Sequence, residues 1–263
     1  MLTDYHMHTS FSDDSDYPME SAVQRSMALG LDEICFTEHV DYGVKTDDNC
    51  DYEQYLLEFS RCRDKYKGQI AIKLGIEFGI QTHTVDMFEQ DAKRYPFDFI
   101  IFSCHQVEDK EFWTHDFQEG RTQQQYNERY YQEIYDVMQR YTSYSVLGHL
   151  DLLRRYDLPN DYPFAKVKDR VAAILECAIR QDKGLELNTS SVRYQVPDLT
   201  PGREIWQLYR DLGGRLITIG SDSHKQEHVG FHSKEGQQQL RALGFTEFCT
   251  FSHMEPIFHP LCE

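Results

Sequence analysis

The sequence lacks a basic surplus, a membrane-length apolar run and a paired-cysteine motif, and each lack removes a class of function. Lysine and arginine total 27 against 44 aspartates and glutamates, for a formal net charge of −17. A chain this acidic has no basic surface with which to grip nucleic acid or an anionic membrane non-specifically. No apolar run approaches the ~20 residues that a helix needs to cross a bilayer. The opening residues, Met1-Leu2-Thr3-Asp4, form neither a basic segment nor an apolar core, so no signal peptide is expected. The seven cysteines are scattered, with no C-x-x-C pair. That is the usage of free, buried thiols in a reducing compartment, and a cytoplasmic protein is expected. No G-x-G-x-x-G follows any predicted strand, which counts against an open dinucleotide-binding sheet. Nothing in the composition marks a linker, and no repeat is visible.

What is present is an alternation of short apolar runs with amphipathic stretches. The runs, rich in β-branched and aromatic residues, predict strands at Leu2–His6, Glu33–Thr37, Ile70–Ile76, Phe99–Cys104, Tyr144–Leu147, Leu185–Asn188 and Leu216–Gly220. Helical spacing of apolar residues predicts helices at Met19–Leu29, Tyr52–Tyr66, Gln123–Tyr141 and Phe164–Gln181. A further helix starts at Thr200-Pro201 and ends at Gly213-Gly214, and a last one spans Ser233–Leu243. Strand–helix alternation repeated about seven times implies a parallel sheet, more naturally closed into a barrel than left open. The 263 residues suit one such barrel. The Phe248–Pro260 stretch is expected to close the barrel bottom or to form a contact.

Potential metal ligands follow nearly every predicted strand. They are His6-Met7-His8, Glu38-His39, Glu77, His105, His149 and Asp222-Ser223-His224. In a parallel barrel the C-terminal strand ends share one face, and active sites sit there, so residues far apart in sequence converge. In His6-x-His8 the side chains of residues i and i+2 of an extended strand point the same way. Asp222-x-His224 is expected to repeat that geometry. Imidazoles with carboxylates suit zinc, iron or manganese. A lone histidine is more often a surface or hydrogen-bonded residue, and His115, His228, His232, His253 and His259 are read so. Six strand ends each followed by a ligand are a different matter and point to a metal-dependent hydrolase.

These residues carry a resemblance. His6-Met7-His8-Thr9, Thr37-Glu38-His39, His105 after Phe102-Ser103-Cys104, and Gly220-Ser221-Asp222-Ser223-His224 resemble the four motifs of the PHP (polymerase and histidinol phosphatase) superfamily. Phe11-Ser12-Asp13-Asp14-Ser15, Gly148-His149-Leu150-Asp151 and Leu187-Asn188-Thr189-Ser190-Ser191-Val192-Arg193 are similar to its histidinol-phosphate phosphatase branch. The resemblance implies a distorted (β/α)7 TIM-like barrel over residues 1–263, with three divalent ions at the C-terminal strand ends. By that resemblance His6, His8, Glu77 and Asp222 would hold the first ion. Bridging Glu77 with His105 and His149 would hold the second, and His39, His224 and a carboxylate of the first loop the third. That carboxylate is placed at Asp14, with Asp13 as the alternative; many members carry histidine there.

The activity implied is hydrolysis of L-histidinol phosphate, in histidine biosynthesis, by a hydroxide bridging two ions. Metals lower the pKa of bound water toward ~7 and neutralise phosphoryl oxygens. Arginine adds a planar fork for phosphate, and Arg193 with one of Arg154 and Arg155 are the expected clamps. His83 is a possible substrate contact, and Asp222 or His224 the donor of a proton to the leaving alkoxide. The competing readings are another small phosphoester, such as a nucleotide or phosphotyrosine, or a non-catalytic metal-binding module.

Overall fold

A computed structural model describes residues 1–43 and 49–262. Its elements run β1 (Thr3–Met7), α1 (Met19–Ala28), β2 (Glu33–Phe36), β3 (His39–Val40), α2 (Tyr52–Lys65), β4 (Ala71–Gly79), α3 (Val85–Arg94), β5 (Phe99–Ser103), β6 (Gln106–Val107) and β7 (Lys110–Glu111). They continue with α4 (Gln123–Met138), β8 (Val146–Leu147), α5 (Lys168–Arg180), β9 (Gly184–Asn188), α6 (Arg203–Asp211), β10 (Ile217–Gly220), α7 (Ser233–Ala242), β11 (Glu247–Ser252) and β12 (Glu255–Pro260). Short 3-10 turns follow β8 at Leu152–Tyr156 and β9 at Thr189–Val192.

Seven strands pair in parallel in the order β1-β2-β4-β5-β8-β9-β10, with short β3 appended to β4. Met7 bridges in parallel to Ser223, just past β10, so the first and last strands meet and the barrel nearly closes. The strands are buried along most of their length, as parallel strands under helices must be. All seven predicted strands are present. The third is longer than expected and carries Glu77 inside it rather than after it.

Helices α2 and α4 begin where side chains satisfy free backbone N–H groups. Asp51 accepts from Glu53 N and Gln54 N at the start of α2. Thr122 and Gln125 form a reciprocal capping box at the start of α4. Helix α3 was not among the sequence expectations. Its ten residues bury Val85 and Phe88 alone, too short an apolar stripe to register. The expected helix 164–181 is a 3-10 turn, Phe164–Lys166, followed by α5.

The C-terminal stretch is an antiparallel hairpin, β11–β12, that closes the barrel bottom. Cys249 and Phe251 pack with Tyr5, Phe99, Ile101 and Val146 from the strands. The Tyr5 hydroxyl accepts from Phe251 N at 2.9 Å. With that end plugged, the open end of the barrel is the one that carries the C-terminal strand ends.

Candidate metal centre

The strand ends bring one carboxylate to the middle of a ring of histidines. Glu77 is fully buried near the end of β4. Its Oε1 lies 3.0 Å from His149 Nε2 and 3.3 Å from His105 Nε2. Its Oε2 lies 3.1 Å from His6 Nε2, 3.4 Å from His8 Nε2 and 3.0 Å from His39 Nδ1. Asp222 Oδ1 stands 3.9 Å from His6 Nε2, 3.7 Å from His8 Nε2 and 3.6 Å from His224 Nδ1. Asp14 reaches in from the first loop, 3.1 Å from His224 Nε2 and 3.7 Å from His39 Nε2. All nine expected ligands therefore meet, with Asp14 rather than Asp13 beside the histidines.

The tautomers of four rings are fixed from outside. His6 Nδ1 sits 2.5 Å from Glu186 Oε1, which can only accept, so Nδ1 carries a proton and Nε2 is the nitrogen left for a metal. His105 Nδ1 likewise donates to Asp41 Oδ1 at 2.9 Å. His224 Nδ1 donates to the Asp222 carbonyl at 2.9 Å. His8 Nδ1 donates to Ser12 Oγ (3.1 Å), whose own hydroxyl is committed to Glu38 Oε2 (2.7 Å). Every one of these rings is left with Nε2 facing the cluster.

The donor set fits divalent cations. His6 Nε2, His8 Nε2, His39 Nδ1 and Glu77 Oε2 are buried and have no hydrogen-bond partner. Ligand atoms ~2.1 Å from one ion stand roughly 3–3.5 Å apart, close to the separations seen here. Three-residue groups able to hold an ion include His6/His8/Asp222, His6/Glu77/His149, His39/Glu77/His105 and His8/His39/His224. Charge tells the same story. Burial should raise the Glu77 carboxyl, yet His6, His105 and His39 hold it well below its usual range. Burial should lower His39 and His105, yet Glu77 with Asp14 holds His39 up at about 9, and Asp41 with Glu77 holds His105 up at about 10. Without metal, protons on these imidazoles supply the positive charge that a divalent ion would bring.

Two expectations change in the structure. Asp222-x-His224 is not an extended strand end. Asp222 has φ +56°, left-handed, and lies beyond β10. The loop is held instead by Asp4, which accepts from Ser221 N and Gly230 N at 2.8 Å each, and by Arg193. Arg193 donates to the carbonyls of Ser221 (2.8 Å) and Asp222 (2.7 Å), so its fork is turned to the backbone and not to the cavity. Among the other expected substrate contacts, the structure brings in one. Arg155, nearly buried, donates to Ser190 Oγ (2.6 Å) and Asp222 Oδ2 (3.2 Å) and lines the cavity over the cluster of candidate ligands. Arg154, next in the same turn, points the other way to Asp151 and Asp161. His83 is half-exposed, 3.0 Å from Asp109, and does not line that cavity.

The cavity measures about 320 Å³. Besides the ligands it is walled by Arg155 and by Trp113, Tyr156, Tyr194 and Leu152. The Tyr194 ring lies under the Arg155 guanidinium, 4.2 Å from its centroid. Glu186 and Asp41 escaped the sequence reading, although both left a trace. Glu186 is a carboxylate inside the apolar Leu185–Leu187 strand, and Asp41 repeats the i, i+2 relation to His39. Trp113 and Tyr194 left none, since each comes from a loop.

A nearly closed parallel barrel with imidazoles and carboxylates converging at the C-terminal strand ends is the architecture of a metal-dependent hydrolase. Comparison narrows the class. Residues 4–190 match the PHP domain. The chain is 33% identical to a histidinol-phosphatase of Lactococcus lactis subsp. lactis, across 96% of this chain and 95% of that one. It is 24% identical to a histidinol-phosphatase of Bacillus subtilis, across 87% of this chain and 95% of that one. It superposes with a TM-score of 0.88 and 32% identity on the crystal structure of the Lactococcus lactis histidinol phosphate phosphatase complexed with zinc, L-histidinol and phosphate, covering 97% of this chain and 98% of that one. The chain belongs to the PHP domain family. Among the described residues, no helix is long and apolar enough to cross a membrane.

Proposed function

We propose that this chain is a metal-dependent phosphomonoesterase that hydrolyses L-histidinol phosphate to L-histidinol and phosphate. The observation that carries the reading is the convergence on Glu77 of histidines whose lone pairs are fixed from outside. A relative matched over 98% of its chain and crystallised with zinc, L-histidinol and phosphate supports the choice of substrate. Three ions are proposed, of zinc, manganese or iron. His6, His8, Glu77 and Asp222 would hold the first, Glu77, His105 and His149 the second, and Asp14, His39 and His224 the third. When bound, such ions make water nucleophilic near neutral pH and neutralise phosphoryl oxygens.

The protein's own groups do the rest. Arg155 faces the cavity with its guanidinium already oriented by Ser190, Asp222 and the Tyr194 ring, and it binds a phosphoryl oxygen. Trp113, Tyr156 and Tyr194 enclose the imidazole end of the substrate and exclude water. Arg193 acts through the Asp222 loop. The leaving alkoxide needs a proton, and Asp222 is ill suited to give it. Against its burial, His6, Arg155 and His224 hold that carboxyl ionised, well below its usual range. His224 is no better placed, with Nε2 toward the third ion and Nδ1 on the Asp222 carbonyl, so water in the cavity is the proposed donor.

The test is turnover of L-histidinol phosphate beside nucleoside monophosphates and phosphotyrosine, before and after chelation. The expected result is a preference for L-histidinol phosphate that chelation abolishes and manganese or zinc restores. Turnover surviving verified metal removal, or equal rates across the panel, overturns the reading.

A further inference from the structure

We propose that Glu38 is a positioning residue for metal binding, which fixes through Ser12 the nitrogen of His8 that is left for an ion. A neutral imidazole carries its one proton on either nitrogen, and the outer partner decides which. His6 Nδ1 and His105 Nδ1 meet carboxylates and His224 Nδ1 meets a carbonyl, all of which can only accept. The outer partner of His8 is a hydroxyl, 3.1 Å from its Nδ1, and a hydroxyl can give or take. On the inner side His8 Nε2 lies 3.4 Å from Glu77 Oε2 and 3.7 Å from Asp222 Oδ1. Without metal these carboxylates draw the proton to Nε2, where it would block an ion. A group outside the ring must therefore hold it on Nδ1.

Glu38 does so by taking the one hydrogen that Ser12 can give. It is fully buried between β2 and β3. Its Oε2 accepts from Ser12 Oγ at 2.7 Å and from Thr9 N at 2.9 Å, and its Oε1 meets Thr9 Oγ1 at 2.6 Å. Ser12 Oγ also accepts from His39 N at 3.0 Å. With its hydrogen on Glu38, the hydroxyl has two lone pairs left, one for His39 N and one for His8 Nδ1, so His8 has to donate. The arrangement does not depend on the charge of Glu38. Burial pushes its carboxyl up, and a proton on Oε1 would face Thr9 Oγ1 and leave Oε2 an acceptor. Glu38 thus does for His8, at one remove, what Glu186 does for His6 and Asp41 for His105. The same bonds tie the first loop, which carries Asp14, to the segment that carries His39. The inference rests on the metal centre proposed above, but the tautomer itself can be read without metal or substrate.

The test is nitrogen-15 NMR of the imidazoles in the metal-free full chain, at a pH where the His8 ring is neutral and with its signals assigned against His8→Gln. Competition for zinc with a chromophoric chelator follows. In the parent protein the His8 proton is expected on Nδ1. Glu38→Gln should keep it there, because the amide oxygen can take the place of Oε2 while the NH2 group donates to Thr9 Oγ1. Glu38→Leu should free the Ser12 hydrogen, move the His8 proton to Nε2 and weaken zinc binding about 10–100-fold, the range for losing an outer partner of a ligand histidine. Circular dichroism checks that each variant is folded. If Glu38→Leu is not, Ser12→Ala carries the test, with the same shift and loss expected. A parent His8 with its proton on Nε2 overturns the proposal. So does a folded Glu38→Leu or Ser12→Ala protein that keeps the parent tautomer or the parent zinc affinity, and so does a Glu38→Gln protein as impaired as Glu38→Leu. Neither readout uses turnover, so failure here leaves the phosphatase reading untouched.

Discussion

Replacing Glu186 by glutamine removes one charge and almost no volume, and it should cost the protein its first metal. Glu186 is fully buried in β9 and accepts three hydrogen bonds, from His6 Nδ1 (2.5 Å), His149 N (2.9 Å) and Asn188 Nδ2 (3.2 Å). All three partners are donors. A glutamine offers one acceptor oxygen and one NH2 group, so whichever way it turns, a donor faces a donor. The change loses at least one charge-assisted hydrogen bond, worth about 1.5–3 kcal/mol. It also removes the charge that makes His6 basic. Against its burial, Glu186, Glu77 and Asp222 raise His6 well above its ordinary value. Removing an outer partner of a ligand histidine typically costs 10–100-fold in metal affinity, roughly 1.4–2.7 kcal/mol. The assay is competition for zinc between the protein and a chromophoric chelator, with kcat measured at saturating metal. The expected result is a loss of about that size in the metal held by His6 and a lower kcat. Metal affinity and kcat both unchanged in a folded Glu186→Gln protein would refute the role assigned to Glu186.

The two arginines should separate by readout. Arg155→Ala should raise KM or lower kcat for the phosphoester by about 10–100-fold with metal content intact. Arg193→Ala should instead lower metal content, because the Asp222 loop loses its clamp, and the opposite pattern would exchange their roles. Gly79→Ala should weaken metal binding through His105, since a Cβ there would collide with both Asp41 and His105; metal titration checks this, and parent-like affinity would contradict the packing described. The metal-free protein should lose stability as pH rises. His39 and His105, held at about 9 and about 10 by carboxylates against their burial, lie above the ~6.5 of an unfolded chain. Their contribution is complete below ~6.5 and disappears as pH climbs through 9 to 10. Thermal unfolding with and without metal measures it. The metal-loaded form, its ligand protons displaced, should not follow that slope, and equal slopes in the two forms would count against the histidines as ligands.

Sequence by itself determined the barrel and the set of candidate ligands that converge in it, with Asp13 and Asp14 left as alternatives. Strand periodicity and the position of each His, Asp or Glu just beyond a strand are local properties, and the closure of a parallel sheet turns them into one site. Resemblance to a family then supplied the grouping around three ions and the substrate. The hairpin at 247–260 was legible as an apolar stretch that closes the barrel, though not as two paired strands. Helix α3, with two buried residues, left too faint a stripe to read.

Tertiary structure alone decided which way each side chain faces. Arg154 and Arg155 are indistinguishable in sequence, and a single 3-10 turn sends one to Asp151 and Asp161 and the other to the metal cavity. Arg193 looked like a phosphate clamp because it follows a strand, but two backbone carbonyls of the Asp222 loop lie within its reach and take its fork. The outer partners Glu186 and Asp41 belong to other elements than the rings they hold, while Ser12 lies four residues from His8 in the same loop. A hydrogen bond across a barrel has no spacing in sequence, so the groups that fix each histidine's tautomer become visible once the strands are side by side.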